Sequence, residues 1–376
     1  MPELVAVVAR GSDAFVDTLR RVWDAGDAVL PVDPRLPAPA AEALLAALVP
    51  TSLVDPADGE RRARAGGRPV EAGDALVVAT SGTTGTPKGA VLTHEAVAAS
   101  AEATSRRLGV DPGSDRWLAC LPLAHVGGLS VVTRALNTGT PLTVLPSPDP
   151  LAVEEAARAG GATLVSLVAT ALARIDTSPF RAVVLGGAAP PTQLPANAHI
   201  TWGMTETGSG VVYDRLPLEG VELRVVEGEL LVRGPMLARA YRDGTETLDA
   251  DGWLHTGDAA ALEADGALQV SGRMGDVIVT GGEKVWPDPV EAVLRAAPGV
   301  AEVAVAGRPD DEWGHVVVAW VVPADAADPP RLPELREAVK GVLAPWAAPR
   351  RLVLVDELPR TTLGKVRRGE LPDPPG

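Results

Sequence analysis

Only one cysteine, Cys120, occurs in the chain, so no internal disulfide can form, which fits a reducing compartment. Within Trp117-Leu-Ala-Cys-Leu121 it reads as a small buried apolar residue. Positive charge is also in short supply. The 34 Lys and Arg against 49 Asp and Glu leave a formal net charge of -15, which disfavours nucleic acid and anionic membranes as partners. No uninterrupted apolar stretch reaches the ~18 residues that a membrane-spanning helix needs, and the first residues lack the basic and apolar regions of a secretory signal. A cytoplasmic protein without membrane insertion is expected. Internal repeats are absent, and only Leu371-Pro-Asp-Pro-Pro-Gly376 reads as disordered.

With 376 residues, 46% of them hydrophobic, the chain can build two domains around sizeable cores. Helical spacing over 38–48, 95–108 and 151–159 alternates with short apolar runs at 142–145, 163–167 and 182–185, the pattern of an α/β fold with buried parallel strands. From Val221 the texture changes to alternating runs, 221–226 and 229–233, which predict an antiparallel sheet or small barrel. Beyond Arg273 a Gly-Gly turn, a helix near 289–296 and strands at 301–306 and 315–322 make a compact α+β unit.

Thr80-Ser-Gly-Thr-Thr-Gly-Thr-Pro-Lys-Gly89 carries the strongest chemical signal. Thr80, Ser81, Thr83 and Thr84 are small and hydroxylated, and Gly82 and Gly85 let backbone N–H groups turn toward a polyphosphate, with Lys88 as the cation. The apolar run 75–79 before it reads as a buried strand, and a new element begins at Ala90. It is not a Walker A loop, because no hydroxyl follows the lysine to hold magnesium. A metal ligand must lie elsewhere, and Glu206 in Trp202-Gly-Met-Thr-Glu-Thr207 is the candidate.

The loop resembles the signature of adenylate-forming enzymes, the superfamily of acyl- and aryl-CoA synthetases, peptide-synthetase adenylation domains and luciferases. Four more blocks follow in that family's order: Leu185-Gly-Gly-Ala-Ala189, Trp202-Gly-Met-Thr-Glu206, Gly252-Trp-Leu-His-Thr-Gly-Asp258 running on to Gly272-Arg273, and Pro359-Arg-Thr-Thr-Leu-Gly-Lys365. The resemblance implies a large N-terminal region, 1–273, of α/β sheets with a small β-barrel-like part, and a mobile α+β C-terminal domain, 274–376. It implies ATP and CoA as substrates, Mg2+ as cofactor, a small carboxylic acid as the partner to be activated, and a homodimer as a common assembly.

Residue by residue, the resemblance implies that the 80–89 loop holds the β- and γ-phosphates, Thr205 the α-phosphate and Glu206 the magnesium. Gly186, Gly187 and Ala188 approach the purine on one side. Trp202, where the family usually has tyrosine, and the adjoining Gly203 lie on the other. Asp258 and Arg273 match the ribose contacts, and Lys365 matches the lysine that reaches the developing acyl-adenylate. Gly275 falls at or beside the hinge, Gly281 and Gly282 beside the pantetheine tunnel, and His125 at the gate of the acyl pocket. Arg367 and Arg368 read as surface charges.

The phosphate loop starts at residue 80, about half the usual distance into the chain for this family. That shortness, together with segments 125–134, 163–170 and 208–224, resembles the o-succinylbenzoate–CoA ligases of menaquinone biosynthesis, particularly actinobacterial ones. Arg134 follows an apolar segment, where a buried guanidinium needs an anion. The anion is either a second carboxylate on the acid or an internal Asp or Glu. Ser166, Thr207 and Ser209 are candidates to line the same pocket. The alternatives are another acyl- or aryl-CoA synthetase, an adenylation domain of a peptide synthetase, and a nucleotide-binding relative without turnover.

Overall fold

The computed structural model describes residues 1–80, 87–187, 191, 193–360 and 366–374. Two compact units emerge: one formed by Met1–Arg224, Leu231–His255 and Gly266–Leu268, the other by Val225–Leu230, Thr256–Asp265 and Gln269–Gly376. Among the described residues no helix is long and apolar enough to cross a membrane.

The first unit holds two seven-stranded sheets. In the first, strands β1 (Leu4–Val8), β2 (Ala28–Val32), β3 (Ser52–Val54), β4 (Arg61–Ala63), β5 (Asp74–Thr80) and β6 (Lys88–Thr93) take the order β6-β5-β2-β1-β3-β4, with the short strand Ala240–Tyr241 beyond β6. β1, β2, β3 and β5 run parallel, which requires crossover helices. Helix α1 (Asp13–Asp24) is one: Ser12 caps it by accepting from the Phe15 amide, and its inner stripe buries Phe15, Leu19 and Val22. Helix α2 (Ala38–Leu48) falls where its alanine and leucine spacing predicts, and α3 (His94–Leu108) starts one residue before the predicted span.

β7 (Trp117–Ala119), β8 (Leu142–Val144), β9 (Leu164–Leu167), β10 (Ala182–Leu185), β11 (Ala198–Met204), β12 (Ser209–Tyr213) and β13 (Leu216–Pro217) form the second sheet, in the order β13-β12-β11-β10-β9-β7-β8. Helix α4 (Val126–Thr138) packs against β7 and β9. The predicted alternating region is a four-stranded sheet of Glu222–Val226, Glu229–Arg233, Leu254–Leu262 and Leu268–Arg273, in that order.

In the second unit, the long hairpin Val300–Asp310 and Gly314–Pro323 separates two apolar layers by strict alternation. Val303, Val305, Val317, Ala319 and Val321 face the helices Pro287–Arg295 and Leu332–Lys340, while Ala304, Ala306, Val316, Val318 and Trp320 face Leu358 and Leu371. Two expectations fail here. Leu371 is buried and the Pro372 carbonyl accepts from Trp320 Nε1 at 2.8 Å, so this part of the C-terminal tail is docked rather than disordered. Arg368 is not a surface charge: it donates to Asp276 (2.9 Å), Asp288 (2.6 Å), Glu291 (2.8 Å) and the Val305 carbonyl (3.1 Å). Those carboxylates lie 77 to 92 residues away in the chain, beyond the reach of any local pattern. Arg367 is half-exposed and pairs with nearby Glu370, as expected of a surface charge.

Candidate active site

β5 and β6 are antiparallel, with Thr80 opposite Lys88, so the two ends of the Thr80–Gly89 motif lie side by side. Thr80 Oγ1 donates to the Lys88 carbonyl at 3.4 Å. Ser81, Gly82, Thr83, Thr84 and Gly85, like Ala188 and Lys365, lie outside the described residues. Lys88 Nζ stands 5.0 Å from the centre of the Tyr241 ring, within cation–π range. The Tyr241 hydroxyl donates to Glu206 Oε1 at 2.8 Å. Glu206 is buried in the 3-10 turn Thr205–Thr207, which Gly208 closes, and its carbonyl accepts from the Ala238 amide at 2.7 Å. Sequence reasoning missed Tyr241, because its contact with Glu206 spans 35 residues and no local motif marks it.

Among the described residues no cluster of three or more His, Cys, Asp or Glu could hold a metal ion. Magnesium in nucleotide sites takes one or two carboxylates and completes its shell with phosphates and water. The single buried Glu206 fits that demand.

β10 runs parallel to β11 with Leu185 opposite Ile200, and this brings Gly186 against Thr201: a Cβ on Gly186 would lie 2.7 Å from Thr201 Oγ1. Gly187 follows with φ +87°, and Trp202 is half-buried on β11. At Gly203 a Cβ would stand 2.1 Å from the Ser209 carbonyl oxygen across the β11–β12 pair, where the register shifts, so no larger residue fits. Thr205 is half-buried beside Glu206. Thr207 is fully buried and its hydroxyl is engaged within the turn, accepting from the Met204 amide at 2.9 Å and lying 2.6 Å from the Ser209 carbonyl.

His125 caps α4 and is largely buried. Its Nε2 lies 3.4 Å from Asp33 Oδ2 but is not aligned for a hydrogen bond, so the contact is electrostatic only. Burial would raise the Asp33 carboxyl, yet Arg35, bonded to it through Nε (2.9 Å), Nη2 (2.6 Å) and its backbone amide (2.9 Å), holds it below the usual carboxylate value. Burial is the largest influence on His125 and pushes it below the ordinary imidazole value, against the pull of Asp33.

Arg134, nine residues into α4, is 2% exposed. Its Nε and Nη1 have no hydrogen-bond partner, and its neighbour in electrostatic terms is the Trp117 ring, 5.5 Å from Cζ. Among the described residues no carboxylate pairs with it. Ser166, on β9, is also buried with an unpartnered hydroxyl. The Ser209 hydroxyl is bonded to that of Ser100 at 2.9 Å. Cys120 is buried and its thiol pushed up to about 12, chiefly by burial, so it is inert.

In the second unit Asp258 Oδ1 meets Arg273 Nε at 3.0 Å, and Arg273 Nη1 donates to the Thr256 carbonyl at 2.6 Å. The two residues assigned to the ribose therefore adjoin one another. Gly275 lies in the 3-10 turn Met274–Asp276; a Cβ there would meet nothing within 4 Å. Gly281 and Gly282, with φ +57° and +87°, form the two-residue loop of a hairpin between Ile278–Thr280 and Glu283–Val285. At Gly281 a Cβ would press to 2.7 Å from the Trp313 ring.

An antiparallel strand pair at the edge of one mostly parallel sheet, a Thr-Glu turn on a second, and an α+β unit carrying a Gly-Gly turn are the architecture of an adenylate-forming enzyme. ATP-bound MatB from Rhodopseudomonas palustris shares this fold with a TM-score of 0.84 at 24% identity, over 98% of this chain and 88% of that one. The chain belongs to the AMP-binding enzyme family, whose model matches residues 2–242, with the AMP-binding enzyme C-terminal domain matching 289–365. It is 42% identical over 322 residues to a probable 2-succinylbenzoate–CoA ligase of Mycobacterium tuberculosis, covering 79% of this chain and 83% of the relative. A 2-succinylbenzoate–CoA ligase of Bacillus cytotoxicus is 35% identical over 335 residues, 78% of this chain and 69% of the relative. The o-succinylbenzoate CoA synthetase of Bacillus subtilis, solved with its acyl-adenylate intermediate OSB-AMP, aligns over 99% of this chain and 88% of its own with a TM-score of 0.81 at 26% identity.

Proposed function

We propose that this chain is a cytoplasmic 2-succinylbenzoate–CoA ligase of menaquinone biosynthesis, working in two steps. A carboxylate oxygen attacks the α-phosphorus of ATP, forming the acyl-adenylate as the bond to pyrophosphate breaks. The thiol sulfur of CoA then attacks the acyl carbon, forming the thioester as AMP departs with the bonding electrons. The observation that carries the acid assignment is Arg134: a buried guanidinium with two unpartnered nitrogens and, among the described residues, no counter-ion is costly unless a bound anion meets it. The aromatic carboxylate of 2-succinylbenzoate supplies that anion while the succinyl carboxylate reacts, and Ser166 offers a second polar contact.

On this reading the 80–89 loop and Lys88 neutralise the polyphosphate, and Thr205 bonds the α-phosphate. Glu206 would hold Mg2+, which screens phosphate charge. Gly186, Gly187 and Trp202 border the adenine, and Asp258, steadied by Arg273, accepts from the ribose hydroxyls. Lys365 bridges carboxylate and α-phosphate, and residues 274–376 then turn about Gly275 to bring Gly281 and Gly282 to the pantetheine arm, with His125 as gate.

The test is pyrophosphate release with two acids, with and without CoA. 2-Succinylbenzoate should be turned over well, while 4-oxo-4-phenylbutanoate, which lacks the second carboxylate, should be poor. Equal use of both acids would remove Arg134 from recognition. Failure with 2-succinylbenzoate but turnover of another aryl or acyl acid would move the chain to a different CoA synthetase.

A further inference from the structure

Lys88 and Glu206 reach the proposed phosphate and metal end from separate segments, one from a strand of the first sheet and the other from the turn that joins β11 to β12 in the second. Cation and carboxylate are not paired with each other among the described residues. Each instead rests on Tyr241: the ammonium over the ring face at 5.0 Å, the carboxylate on the hydroxyl at 2.8 Å. A direct ion pair would neutralise both groups and would have to be broken for each to meet the nucleotide. A neutral phenol holds them without that cost. One O–H bond also fixes the carboxylate while leaving most of its lone-pair sites open, since a carboxylate can accept at about four.

Tyr241 is itself rigidly held. It pairs with Ala90 at the edge of the first sheet, and its amide donates to the Thr245 carbonyl at 2.8 Å. The next residue, Arg242, is buried and donates to the carbonyls of Leu48 (3.1 Å), Pro69 (2.8 Å) and Arg68, while its amide bonds the Gly89 carbonyl at 2.7 Å. This anchor sets the phenol's position on an element beside β6 rather than on a free loop.

We infer that Tyr241 is a positioning residue that aims the Glu206 carboxylate for the metal and keeps Lys88 beside it for the phosphates. The inference rests on the nucleotide site proposed above. Its test is ATP binding by calorimetry over a range of free Mg2+, without acid or CoA so that no turnover occurs. Tyr241→Phe keeps the ring and removes the hydroxyl; Tyr241→Leu removes both. In Tyr241→Phe the free Mg2+ needed for half-maximal enhancement of ATP binding should rise about 3- to 10-fold, with metal-free ATP binding unchanged, as expected for one lost bond to a charged group. Tyr241→Leu should in addition weaken metal-free binding several-fold. A general structural defect would instead weaken both kinds of binding in Tyr241→Phe and lower its melting temperature, and that result overturns the inference. So does a Tyr241→Phe titration that overlays the wild type, and this variant decides the matter even if Tyr241→Leu fails to fold. If the wild type binds no ATP with or without Mg2+, the nucleotide-site reading itself falls, a result distinct from the other two.

Discussion

Arg134 and Arg368 are both withdrawn from solvent, and they are withdrawn in opposite ways. Arg368 gathers Asp276, Asp288 and Glu291 around one guanidinium, so the cost of its burial is offset within the protein. Arg134 is deeper, and no carboxylate among the described residues answers it; the Trp117 ring is its electrostatic neighbour. Arg242 shows an intermediate solution, with backbone carbonyls in place of carboxylates. The comparison teaches that burial of a charge says little by itself. On the proposed reading, where the counter-charge comes from separates an arginine that holds the fold from one that meets a ligand.

The largest effect should come from breaking the Arg134 side of this contrast. In the wild type the preference for 2-succinylbenzoate over 4-oxo-4-phenylbutanoate should be on the order of 2–5 kcal/mol, the penalty for stranding a buried charge. Arg134→Ala should collapse most of that preference, because no cation remains to be stranded. Arg134→Met should unfold in denaturant no more easily than the wild type, since removing an uncompensated buried charge is often neutral or stabilising. A clear loss of stability in Arg134→Met, with the preference intact, would make Arg134 structural and erase the contrast.

Lys365, three residues before Arg368 in the sequence, sharpens the comparison on the other side. Lys365→Ala should slow adenylation by about 3–4 kcal/mol, roughly a hundred- to a thousandfold, while sparing thioester formation from supplied acyl-adenylate. Its unfolding should match the wild type. Normal pyrophosphate release by the variant would sink the assignment.

Arg368→Ala should do the reverse and cost stability first. Removing one partner of a buried ion pair costs about 3–5 kcal/mol, and with the Arg368 side chain 23% exposed a loss of about 2–4 kcal/mol is expected. Arg367→Ala, beside it, should stay within about 0.5 kcal/mol. Equal denaturant midpoints for the two variants would show that the three carboxylates contribute nothing.

The contrast also explains what could be read from the sequence. The second-sheet strand at 182–185, the helix at 38–48 and the strand over 75–79 were legible because periodicity is local, whereas the antiparallel partner strand from Lys88 was read only as a new element from Ala90. Arg134 was legible because seven apolar or small residues precede it. Arg368 was misread and Tyr241 missed for one reason: their partners lie dozens of residues away, and only the closed fold brings them together. The docking of Leu371 against Trp320 and its neighbours was hidden in the same way by the prolines around it, which locally signal a loose tail.

The smallest effect belongs to His125, whose neighbours Asp33 and Arg35 test whether an imidazole can be kept neutral beside an ionised carboxylate. Burial lowers its proton affinity more than Asp33 restores it. Above the reference value of 6.5 the imidazole is neutral whether the chain is folded or not, so it adds no pH dependence there. Below it, the unfolded chain takes up a proton that the folded chain refuses, so stability must fall as pH drops, by at most about 1.4 kcal/mol per pH unit from this group. His94, also lowered chiefly by burial, contributes in the same direction, so the wild-type slope is shared. His125→Gln should therefore flatten, without abolishing, the loss of stability between about pH 7 and about pH 5, measured as denaturant midpoints. An unchanged slope would mean that His125 takes up its proton in the folded chain, and that Asp33 rather than burial sets its charge.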